Sequence, residues 1–69
     1  MDPVKVWREA QRANGEIVVD GLRVPLEVMA ALRSHREPQE VGGEVVFAKG
    51  PRLRQRLVAR DGVVALEVL

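Results

Sequence analysis

Apolar and polar residues recur with two different periods along this chain, and the changes of period divide it into short elements. In residues 3–13, Val6, Ala10 and Ala13 share one face at helical spacing with Val4 and Trp7 beside them, while Lys5 and Glu9 stand one turn apart as an opposite-charge pair. Asp2 before Pro3 starts a helix and Asn14-Gly15 stops one, so the spacing predicts a first helix over 3–13. Reading Asn14-Gly15 as a hairpin turn fails on the preceding residues, because Val6 is followed by Trp7 and strand alternation is lost. Residues 16–19 and 22–24 then flank Asp20-Gly21, which predicts a hairpin of very short strands. Pro25 supplies the fixed φ of a first helical turn, and a second helix is expected over 25–36. Its core-facing stripe is read as Leu26, Met29, Ala30 and Leu32 to Arg33, and its basic last turn suits the negative end of the helix dipole.

Glu37-Pro38-Gln39-Glu40 breaks this helix, and Val41-Gly42-Gly43 prolongs the break, so 37–43 reads as a connection within one domain. Residues 44–48 form a short apolar strand, and Lys49-Gly50-Pro51 a turn. The next segment, 52–60, fits two patterns. Pro51 at a helix start and Leu53 with Leu57 at i, i+4 favour a helix, whereas Arg52, Arg54, Arg56 and Arg60 alternating with Leu53, Leu57 and Ala59 favour a strand. The residues that follow decide between them. A two-residue Asp61-Gly62 turn sets Arg60 opposite Val63, Val58 opposite Ala65 and Arg56 opposite Glu67 on one face. In the same register Ala59 meets Val64, Leu57 meets Leu66 and Gln55 meets Val68 on an apolar face. One register satisfies both faces, so a hairpin of 52–60 with 63–68 is expected. The fold class that results is α+β: a single small domain over 1–69, with two helices packed on a small antiparallel sheet of hairpins.

Length makes the domain's stability a question. A chain of 69 residues buries only ~60% of the surface its unfolded form exposes, and a core of that size supplies about 3–5 kcal/mol. The chain has no cysteine, so no disulfide adds to this, and one histidine without thiols cannot close a tetrahedral zinc site. No metal and no cofactor is therefore expected, and dense packing or self-association is left to stabilise the fold. Valine supplies much of the apolar content, with thirteen residues against seven leucines, and the only aromatic side chains are Trp7 and Phe47. The first residues carry neither a basic nor an apolar leader segment, and no apolar run approaches ~18 residues, so a cytoplasmic location without membrane contact is expected.

The chemistry available is sparse. Ser34 is the one hydroxyl, and neighbouring helical residues such as Ser34 and His35 point about 100° apart, so they form no nucleophile–base dyad. His35 with Glu37, Glu40 and Glu44 matches no metal-ligand spacing and reads as a solvated acidic loop. Ten acids scattered over the chain offer no general acid–base pair, and the isolated Gly42-Gly43 and Gly50-Pro51 steps are not a phosphate-binding loop. No catalytic residue and no small-molecule substrate is evident, and the expected class is non-enzymatic.

Two features stand out. Lys49, Arg52, Arg54, Arg56 and Arg60 place five positive charges in twelve residues without an acid, although the whole chain has a formal net charge of only +1. On a strand, alternate arginines lie ~6.6–6.8 Å apart and could follow a phosphate backbone without reading sequence. Against this, no aromatic residue interleaves them, the pI is near 8.4, and Glu67 and other acids are available to pair with them on a solvated sheet face. The second feature is the apolar stretch Val63, Val64, Ala65, Leu66, Val68 and Leu69, interrupted only by Glu67. Such a strand either lies centrally under a helix or pairs with a second copy. The expected function is a homo-oligomeric protein-interaction module, a dimer by preference, that contacts itself through Val63, Val64, Leu66, Val68 and Leu69. The alternative is a small nucleic-acid-binding protein using the five cations.

Overall fold

The computed structural model describes all residues from Met1 to Leu69. Helix α1 spans Pro3–Arg12 and starts as its sequence requires: the Asp2 carboxylate accepts hydrogen bonds from the backbone N–H groups of Val4 at 3.1 Å and Lys5 at 3.2 Å, while Pro3 fills a position that needs no donor. Hairpin strands β1 (Ile17–Val19) and β2 (Leu22–Val24) follow, then helix α2 (Leu26–Ser34). Strands β3 (Gln39–Val41), β4 (Glu44–Lys49), β5 (Leu53–Arg60) and β6 (Val63–Val68) complete the chain. The α+β class and the two helices are as expected, and segment 52–60 is a strand over all but its first residue.

The β5–β6 register matches the sequence pattern at every pair, from Gln55 opposite Val68 to Arg60 opposite Val63. The Asp61-Gly62 turn fixes it. Asp61 and Gly62 have φ of 52° and 74°, and Asp20 and Gly21 repeat this at 49° and 78°, the left-handed pair whose twist matches that of the flanking strands. Gly42 and Gly43 adopt the same conformation, with φ of 60° and 80°. They make the expected connection over 37–43 a third tight hairpin instead, pairing Val41 with Glu44 and Gln39 with Val46.

The sheet itself corrects the expectation of an all-antiparallel arrangement. Its six strands lie in the order β1-β2-β6-β5-β4-β3, and β2 runs parallel to β6, with Arg23 beside Val63 and the Arg23 N–H donating to Gly62 O at 2.9 Å. Hairpin signals specify only which strands are neighbours in sequence. Here α2 separates β2 from the β3–β6 meander, and the meander's last strand returns alongside β2 in the same direction.

Strand register assigns the two faces. Val19, Val24, Phe47, Leu57 and Val64 point to the side where both helices lie and meet Val6 and Ala10 of α1 and Val28, Met29 and Leu32 of α2 in one ten-residue core. The α2 stripe differs from the one expected, since Val28 is buried while Leu26 is 60% exposed and Ala30 faces solvent. The bounds differ too: Pro25 precedes the helix rather than forming its first turn, and the helix ends at Ser34 rather than at Arg36. Side-chain-to-backbone bonds tie the helices together, from Gln11 Nε2 to Leu32 O at 3.0 Å and from Arg33 Nε to Ala10 O at 3.3 Å. Lys5 does not reach Glu9 but pairs with Asp20 in the β1–β2 turn at 2.8 Å, joining α1 to that hairpin. The Asp20 hydrogen bond, and then its charge, hold the Lys5 ammonium above its usual pKa.

Candidate functional site

The opposite face of the sheet carries no helix. Along it lie Val18 of β1, Arg23 of β2, Val63, Ala65 and Glu67 of β6, Arg54, Arg56, Val58 and Arg60 of β5, Glu44, Val46 and Ala48 of β4, and Gln39 and Val41 of β3. Register brings three strands' charges to its centre. Arg56 donates through Nη1 to Glu44 Oε1 at 2.7 Å, and through Nη2 and Nε to Glu67 Oε1 at 2.6 and 3.1 Å. Arg60 Nη2 donates to the other Glu67 oxygen at 2.7 Å. The planar guanidinium of Arg56 thus spans two carboxylates on flanking strands, a geometry lysine could not match. Hydrogen bonding to Glu44, then to Glu67, raises the Arg56 pKa above its ordinary value, and hydrogen bonding from Arg56 holds the Glu67 carboxyl below the usual carboxylate range.

This ladder divides the five cations read from the sequence. Arg56 and Arg60 are engaged by acids, whereas Lys49, Arg52 and Arg54 form no ion pair and are exposed at the β4–β5 corner. Sequence spacing could not find their fourth companion. The segment leaving α2 runs back beside β4, and there the exposed Arg36, also without an acidic partner, lines two adjoining cavities of about 330 and 430 Å3. Arg54 and Glu37 line the first with Ala48; Lys49 and the Gly50-Pro51 turn line the second with Ser34.

The apolar strand is divided too. β6 lies centrally, between β2 and β5, rather than at an edge. Val64 is buried in the core and Leu66 packs against it on the helix side, while Val63 is half-buried on the open face. Val68 and Leu69 are 62% and 52% exposed.

His35 is the largest departure from the sequence reading of a solvated loop. It is 4% exposed, with its ring edge-to-face against Phe47 at 5.8 Å between centroids. Nδ1 donates to the Ala48 carbonyl at 3.1 Å, and Nε2 lies 2.9 Å from Gln55 Oε1. Trp7 Nε1 donates to the His35 carbonyl at 3.4 Å. His35 therefore locks the end of α2 to β4, β5 and α1. Ser34, its neighbour, donates backward to Ala31 O at 2.8 Å and makes no contact with the imidazole. The arrangement is a structural junction without a nucleophile–base pair, and the surface chemistry of the molecule rests on the open sheet face and the basic corner. No family model, no curated protein and no solved structure matches this chain.

Proposed function

We propose that the protein is a non-enzymatic interaction module that pairs with a second copy of itself through the uncovered face of the sheet. The observation that carries this reading is the composition of that face. Val46, Val58, Val63 and Ala65 are half-buried on it, Val18 and Val41 are 67% and 51% exposed, and both helices lie on the other side. A valine-rich sheet face next to water is normally covered.

Charge favours a second copy as the cover. The central ladder holds two arginines and two glutamates whose bonds are already made, so the middle of the face presents little net charge for its own copy to repel, while the unpaired Arg54 stands at its β4–β5 end. Size agrees. The molecule measures 29 × 21 × 16 Å between Cα extremes, room for the ~800 Å2 per partner of a stable interface only if most of one broad side is covered. Self-association would also supply the stabilisation that a core of ten residues in a 69-residue chain lacks.

Sedimentation equilibrium from 1 to 200 µM tests the proposal. The wild type is expected as a dimer that dissociates on dilution, and Val18→Glu combined with Val41→Glu as a folded monomer, since both side chains are more than half exposed in the isolated chain. Removing Val68 and Leu69 is expected to leave the dimer intact. A wild type that stays monomeric at 200 µM overturns the reading, and a dimer lost only on removing Val68 and Leu69 transfers the contact to that strand.

A further inference from the structure

We infer that the corner formed by Arg36 and the β4–β5 turn, which adjoins the open face at Arg54 and Ala48, is a contact site for the phosphate backbone of a nucleic acid. Three cations border its two cavities, Arg36 from the segment after α2, Lys49 at the end of β4 and Arg54 opposite Ala48, and Arg52 follows on the Gly50-Pro51 turn outside both walls. All are exposed and none forms an ion pair, in contrast to Arg56 and Arg60 on the same hairpin. Most of the excess charge of the arginine-rich segment is therefore concentrated at one end of the molecule.

The surface there is concave rather than flat. Arg36 borders both cavities, with Arg54 in the wall of one and Lys49 in the wall of the other. A ligand lying across the corner would meet a cation in each lobe and a third between them. Glu37 is the only acid in either wall.

The ligand class follows from exposure and from what the walls lack. A single solvent-exposed ion pair contributes little, so an isolated phosphate would not be held by such a site. A chain of phosphates would be, because each contact releases condensed counterions and the contacts act together. Val41, Val46, Ala48 and Pro51 are the apolar wall residues, and no aromatic ring lines either cavity for stacking. The site therefore grips the backbone without reading bases. Guanidinium groups suit this task, since their planar fork meets two phosphate oxygens at once.

Fluorescence anisotropy with labelled 20-nucleotide single strands and 20-base-pair duplexes, of DNA and of RNA, at 50 and 200 mM salt provides the test. Neutralising about four phosphates of a duplex gives a log–log salt slope near −3.6, so binding is expected to weaken roughly 100-fold between the two salt concentrations. Arg36→Glu with Arg54→Glu is expected to weaken binding at 50 mM at least ~10-fold, whereas Arg8→Glu with Arg12→Glu, an equal charge change on exposed, unpaired residues of α1, changes it less than ~3-fold. Circular dichroism checks that each variant is folded. If the first does not fold, Lys49→Gln with Arg52→Gln removes the other two charges from a surface turn and is expected to lower the slope magnitude by about 1.8. Absence of binding to every nucleic acid at 50 mM salt, or equal weakening by the corner and α1 variants, overturns the site. So does binding of inorganic polyphosphate in the absence of nucleic-acid binding.

Discussion

Phe47 is the residue on which the marginal core depends most, and its truncation tests the packing argument directly. It is 0% exposed, the largest side chain wholly inside, with Gln55 opposite it and Leu57 two residues further along β5 on the same face. It also supplies the ring against which His35 is held. Phe47→Ala removes the buried ring and leaves a cavity that β4 and β5, paired on both sides, cannot collapse to fill. Such truncations cost about 3–5 kcal/mol, which is the whole of what a core this small supplies. Phe47→Ala is therefore expected to be unfolded at 25 °C in the monomer. Phe47→Leu keeps most of the volume and loses the edge-to-face contact, a cost of about 1–2 kcal/mol, and the melting temperature should fall by about 4–16 °C. Far-UV circular dichroism during thermal and urea unfolding provides the measurement. A fixed low-micromolar concentration is needed, because any self-association raises apparent stability with concentration. A cooperative Phe47→Ala transition within about 1 kcal/mol of wild type would refute the argument, since the core would then be centred elsewhere.

Glu67→Gln is expected to lower the melting temperature at pH 7, and the gap from wild type should close on acidification. The folded carboxyl is held below its ordinary pKa by hydrogen bonding from Arg56 and by the charges of Arg56 and Arg60. A depressed folded pKa stabilises above the unfolded value of ~4.3, and that contribution is lost as pH falls through the folded value, so equal gaps at pH 7 and pH 2.5 would sink the assignment. Gly62→Ala is expected to cost about 1 kcal/mol through its positive φ of 74° alone, because a Cβ there would meet nothing within 4 Å. Gly62→Asn should recover part of that loss, and equal melting of the alanine variant and wild type would contradict the turn. His35→Leu strands the Gln55 amide and the Ala48 carbonyl and should cost about 1–3 kcal/mol in urea unfolding; the double variant with Gln55→Leu should cost less than the single one, and a larger loss would disprove the pairing.

Local structure was legible because local causes produce it. Asp2-Pro3 capped α1 as its residue types required, and the alternation on either side of Asp61-Gly62 admitted one register, which six pairs obey. The segment 37–43 misled for an equally local reason. The helix ends at Ser34, ahead of Glu37-Pro38, but Gly42-Gly43 turns the chain back within two residues, and β3 has only three residues, too few to show alternation against the break beside them. The parallel pairing of β2 with β6 was beyond the reach of such signals, since those strands are separated by α2 and three other strands and meet only at Arg23 and Val63.

Charge shows the same division at the level of function. The pairing of Arg56 with Glu67 could be read from the hairpin register, because both belong to adjacent strands. Glu44 completes the ladder from the far side of β5, and Arg36 reaches the basic corner from a segment that the sequence places sixteen residues before Arg52. Neither contribution has a periodicity, so the sequence shows five equivalent cations where the folded chain has two kinds. Arg56 and Arg60 have their carboxylate partners within the sheet and help keep its open face neutral. Lys49, Arg52 and Arg54 have none, and with Arg36 they leave one corner strongly positive. The ladder and the corner consequently make opposite demands on a partner: a copy of the neutral ladder meets little repulsion, whereas at the corner a second copy would set uncompensated cations against their like. On the two proposals made above, self-contact would fall on the ladder of the face and a polyanion on the corner.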